Sequence, residues 1–108
     1  MTTRADRFDE HVIEAATRVE ERLGRAFPSV EFVVEQVPIH FTPWEQDEVP
    51  LGRLVPGAGQ QVPRIVLYRR PIETRISTDA ELALLVQEIV SEQVAALIGI
   101  DPDELDIG

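Results

Sequence analysis

Apolar side chains recur at three- and four-residue steps from Phe8 through Val12, Ala15, Ala16, Val19 and Leu23. That spacing predicts a helix over residues 3–24 with one apolar stripe. Arg7, Glu10, Glu14, Arg18, Glu21 and Arg25 fall on the opposite face. Glu14 and Arg18 stand four apart, in the order that favours an ion pair. Gly24 suits a left-handed closing residue, and Pro28 blocks any continuation. The period then changes to two. Val30, Phe32 and Val34 share one side of residues 30–37, Val33 and Val37 the other, which predicts a strand ended by Pro38.

From 38 to 63 the chain is punctuated by Pro38, Pro43, Pro50, Pro56 and Pro63, with Gly52, Gly57 and Gly59 between them. Such a stretch reads as loop, and a long loop in a small domain is often a binding loop. Within it, residues 51–55 form a short strand that the flanking prolines restrict to a sheet edge. Residues 57–61 read as an exposed turn. Residues 64–70 hold the run Ile65-Val66-Leu67 between Pro63 and Pro71, the pattern of a central strand buried on both faces. Over 78–98, Leu82, Leu85, Val86, Ile89, Val90, Val94, Leu97 and Ile98 make an apolar face broad enough for a core helix. Thr78 and Glu81 have the spacing of a capping box, and Gly99 is the stop. Asp101-Pro102 opens a short closing turn.

The order is helix, strand, edge strand, strand, helix. It predicts a single α+β domain over residues 1–108, with both helices against one mixed, twisted sheet of three to four strands.

Composition narrows the chemistry. Hydrophobic residues make up 44% of 108, enough for one core. The formal net charge is -10, which disfavours nucleic acid and anionic membrane surfaces as partners. All ten basic residues are arginine, so lysine chemistry is excluded. There is no cysteine, which removes disulfides, thiolate nucleophiles and thiolate metal centres. His11 and His40 are the only imidazoles. No apolar run reaches membrane-spanning length, and Met1-Thr2-Thr3-Arg4-Ala5-Asp6-Arg7 has no signal-peptide core, so a cytoplasmic location is expected.

Three stretches together carry a resemblance: the opening Arg7-Phe8-Asp9-Glu10-His11-Val12 helix with the strand after it, the string 64–72 reading RIVLYRRPI, and the long helix ending Ile98-Gly99-Ile100-Asp101. In these the chain resembles the small single-domain zincin-like metallopeptidases common in actinobacteria. The resemblance implies a long helix bearing H-E-x-x-H, in which two histidines one turn apart hold zinc and the glutamate acts on a zinc-bound water. Anchored on Gly99, the first histidine falls on Glu92, the glutamate on Gln93 and the second histidine on Ala96. The further ligand falls near Pro102, between Asp101 and Asp103. Ala96 has no lone pair, and an amide at 93 cannot act as a carboxylate base. Shifting by one restores a glutamate at Glu92 but leaves Ser91 and Ala95 as the ligand positions. The implied protein is a degenerate family member, not an enzyme, without zinc or another cofactor. It binds a protein or extended peptide along the groove edge Leu51, Gly52, Arg53 and Leu54. The alternative is an active hydrolase whose metal is held by Glu92, Asp101 or Asp103, with or without His40. A third possibility is an assembly partner without any groove.

Other candidates are weighed on the residues alone. Glu88 and Glu92 share a helix face and, with His40, have the make-up of a metal site. The plainer reading is a solvated face, or partners for Arg69 and Arg70. His11 lies beside the first apolar stripe and reads as structural. Ile39, Phe41 and Trp44 either close over the core or, for Phe41 and Trp44, anchor a partner. No G-x-S-x-G, Walker or dinucleotide motif is present.

Overall fold

The capping chemistry of the opening residues sets where the first helix begins. Thr3 Oγ1 accepts from the Asp6 amide at 3.1 Å while the Asp6 carboxylate accepts from the Thr3 amide at 3.1 Å, a reciprocal box. The computed structural model describes residues 2–38 and 50–105. In it α1 runs Arg4–Leu23, with Gly24 as its C-cap and a 3-10 turn at Gly24–Ala26. β1 is Glu31–Glu35, β2 is Gly52–Val55 and β3 is Arg64–Tyr68. A short α2, Arg69–Glu73, leads to α3, Asp79–Ile98, and a 3-10 turn at Pro102–Leu105.

The sheet order is β1-β3-β2. β3 pairs in parallel with β1, Phe32 opposite Ile65 and Val34 opposite Leu67. It pairs antiparallel with β2, Gly52 opposite Leu67 and Leu54 opposite Ile65. Among the described residues the sheet is therefore mixed and three-stranded, with β3 central and β2 at an edge. Alternation puts Phe32, Val34, Leu54, Ile65 and Leu67 on the face that α1 and α3 cover. Val66 and Tyr68 on the opposite face are also buried, as a central strand requires.

Phe8, Val12 and Val19 from α1 meet Val86, Val90 and Val94 from α3, with Ile65 and Leu67 above them and Leu105 closing one end. Each large side chain removed fully from water contributes about 1.5–3 kcal/mol. This burial explains why neither helix is an independent unit.

Several local expectations are corrected. The strand predicted over 64–70 stops at Tyr68, and Arg69–Glu73 forms a helix in spite of Pro71. Pro71 is the third residue of that helix, where the backbone N–H has no intrahelical partner to lose. Ile72 explains the turn, since it is fully buried against the core. The predicted strand 30–37 is trimmed to Glu31–Glu35. The capping box at Thr78 is half formed: Thr78 Oγ1 accepts from the Glu81 amide, but its hydroxyl donates to the Glu81 carboxylate, which does not return to the backbone. Arg18 hydrogen-bonds Gln87 at 3.4 Å instead of pairing with Glu14. Among the described residues no helix is long and apolar enough to cross a membrane.

Candidate functional site

α3 ends where Gly99 adopts φ 77° and ψ 32°, and its amide donates to the Ala95 carbonyl at 2.8 Å. The Ile100 amide turns back to the same carbonyl, and Asp101 Oδ1 caps the next turn by accepting from the Asp103 amide at 2.9 Å. The chain after α3 is thereby folded against the helix's last turns. Leu105 is inserted into the core, and Ala95 is completely covered.

The two possible alignments of the long helix differ physically. Glu92 and Ala96 are both exposed, one turn apart, with Gln93 half-buried beside them. In the shifted alignment the second ligand position is Ala95, which is 0% exposed and has no room for a metal-binding side chain. The Gly99-anchored alignment is the one with an open pair of positions. Those positions carry a carboxylate and a methyl group, with an amide between them, which is one good metal donor and not three. Among the described residues no group of three or more histidine, aspartate or glutamate side chains is arranged to hold a metal ion.

The edge strand lies close by. Among the described residues β2 has a neighbour only in β3, and the ladder extends one residue further through the Tyr68 amide donating to the Leu51 carbonyl at 3.0 Å. Leu51 and Leu54 are half-buried against the core and Arg53 is exposed. Gly52 lies directly on α3: a Cβ there would sit 2.9 Å from Ile89 Cγ2 and 3.2 Å from the Val66 carbonyl oxygen. Ile89 is one turn before Gln93, so the edge 51–54 and Gln93 lie toward the same side of α3.

Glu88 and Glu92 share an exposed face, as their spacing predicts. The suggested pairing with Arg69 is not found, since Arg69 Nε donates to Glu73 Oε2 at 3.3 Å within α2. Glu92 and Asp103 do line one groove, of about 690 Å³, together with Glu88 and Arg18. No residue of β2 borders it, so it runs on the α1 side of α3. His40, Phe41, Trp44 and Ile39 lie outside the described residues.

His11 is buried and joins α1 to α3. Its Nε2 lies 3.0 Å from Asp79 Oδ1, and the Arg7 guanidinium donates to Asp79 Oδ2. Among the described residues His11 Nδ1 has no hydrogen-bond partner; Glu14 Oε2 stands 3.8 Å away. The hydrogen bond from Arg7, and after it the one from His11, pull the Asp79 carboxyl down to about 2. This is a structural clamp at the head of α3, remote from its Glu92–Ala96 end. The structural role expected of His11 is found, but its partner Asp79 is 68 residues away, and no local spacing links the two. Leu84, an α3 side chain 73% exposed, is not among the sites that the residue pattern suggests. Its signal is present in leucines at 82, 84 and 85, too many for one face.

Comparison with known families matches residues 28–107 to the family described as zincin-like metallopeptidase. The match takes in the sheet, α2, α3 and the closing turn. It leaves out α1, which the sequence resemblance includes. No curated protein matches the chain.

Proposed function

The chain belongs to the zincin-like metallopeptidase family, and from that premise we propose that it is a non-catalytic member that binds a protein or extended peptide. The observation that carries this reading is the side-chain set on the open turn of α3. Glu92, Gln93 and Ala96 stand where the family resemblance expects a ligand, a base and a second ligand. Zinc does not fit one carboxylate, one amide and one methyl, so these residues support no hydrolytic step. Among the described residues the outer edge of β2 has no partner strand, which supports the binding half of the reading. Main-chain N–H and C=O groups on the outer side of residues 51–54 are suited to pairing with an extended strand without any metal.

Metal analysis of the desalted native protein tests the non-catalytic half. The expected result is no stoichiometric zinc and no metal-dependent peptidase activity. Zinc held at one per chain and released by Glu92→Ala overturns it. Titration of an extended peptide library tests the binding half, with amide shifts expected at 51–55.

A second reading has one observation in its favour. Glu92 and Asp103 border the same groove, so a carboxylate-held metal serving a hydrolase is a coherent alternative. Among the described residues no group of three histidine, aspartate or glutamate side chains is arranged to complete such a site. The same zinc measurement decides between the two.

A further inference from the structure

We infer that the groove between α1, α3 and the closing 3-10 turn is a docking site for a basic amphipathic helix. This surface is separate from the β2 edge, and the inference does not rest on peptide binding there. The groove encloses about 690 Å³ and is bordered by residues from Ala80 to Glu92 along one side of α3. At 1.5 Å per residue that is about 18 Å, the length of roughly three helical turns.

Its floor is apolar. Ala80 and Ala83 allow close approach of another backbone, Leu105 forms part of the wall, and Leu84 stands 73% exposed within it. α3 is apolar well beyond the face it buries, which is the property of a helix covered on more than one side.

The rim identifies the occupant. Among the described residues Glu88, Glu92 and Asp103 border the groove against a single cation, Arg18, whose guanidinium is directed to Gln87 at 3.4 Å. A second copy of this chain would bring those carboxylates against their own counterparts, on top of a net charge of -10 per copy. A helix with lysines or arginines flanking one apolar stripe satisfies both features: the stripe covers Leu84 and the cations meet the rim.

The experiment uses the full chain and a synthetic helical peptide of about 14 residues, with leucines at three- and four-residue steps and lysines elsewhere. A control peptide carries glutamate in place of each lysine. Amide shifts are expected to be confined to residues 80–92, 103–105 and the α1 turn around Arg18. Leu84→Asp is expected to weaken binding about tenfold, the usual effect of losing a central anchor. Glu88→Gln and added salt are expected to weaken it by smaller factors. Both side chains are exposed, and a thermal melt verifies that each variant is folded. Four results overturn the inference: no shifts, shifts spread over the acidic surface, equal binding of the control peptide, or affinity unchanged by Leu84→Asp. Self-association of the free chain that Leu84→Asp abolishes also overturns it, by assigning the face to a second copy.

Discussion

Gly52 of the edge strand rests on Ile89 of the long helix so closely that a single methyl group at position 52 would stand 2.9 Å from Ile89 Cγ2. The contact sets how near β2 comes to the turn carrying Glu92, Gln93 and Ala96. Gly52→Ala is expected to destabilise the fold by about 1–3 kcal/mol through overpacking. Ile89→Ala removes the opposing methyl, so the double variant should cost less than the two single costs combined. Urea unfolding of the four proteins checks this. Strict additivity would show that the two side chains do not meet.

The head of α3 is expected to be acid-sensitive. The Asp79 carboxyl is held at about 2, below its ordinary value, by the hydrogen bonds from Arg7 and His11. A group depressed in the folded state stabilises the protein above its unfolded pKa, about 3.9, and loses that contribution as pH falls through the folded value. Stability should therefore drop between about pH 4 and pH 2. Asp79→Asn should flatten the fall over that window. Thermal midpoints measured across it check the expectation, and identical slopes for the two proteins would refute it.

Gly99→Ala is expected to cost about 1–2 kcal/mol, the penalty of a left-handed backbone for a residue with a Cβ. Space is not the cause, because at φ 77° nothing lies within 4 Å of where the added methyl would stand. Gly99→Asn should cost less, since asparagine tolerates that conformation better. Equal costs, read by chemical denaturation, would move the explanation to a contact.

Introducing metal donors tests the alignment of α3. The combination Glu92→His, Gln93→Glu and Ala96→His is expected to bind zinc, because positions 92 and 96 are open and one turn apart. The shifted pair Ser91→His with Ala95→His is expected instead to destabilise the protein by at least about 1–3 kcal/mol, since a ring at the covered Ala95 overpacks the core. Native mass spectrometry with and without zinc reads the first outcome, and urea unfolding the second. Zinc binding by the shifted pair alone would reverse the alignment.

Much of this architecture is legible one segment at a time. The α1 stripe, the central strand at Ile65-Val66-Leu67, the edge strand between prolines and the Gly99 stop are all found where their local patterns point. The departures share a cause. The backbone chemistry of Pro71 marks a boundary, but burial of Ile72 outweighs that preference and winds Arg69–Glu73 into a turn. Glu14 and Arg18 have ideal spacing, but the buried His11 and the packed α3 offer other neighbours.

Short-range periodicity and the identity of single residues are properties of the chain by itself. They determine the two long helices and the three strands, the α+β class, the lack of any histidine on the last helix and the choice of Gly99 as its end. Contacts between residues far apart in sequence are decided only when the elements pack. Packing covers Ala95 while leaving Ala96 open, seats Gly52 on Ile89 and brings Asp79 to His11 and Arg7. It also gathers Glu88, Glu92 and Asp103 around one groove. The physical reason is range: a local pattern specifies which way a side chain points along its own helix or strand, and the folded chain alone specifies what it meets there.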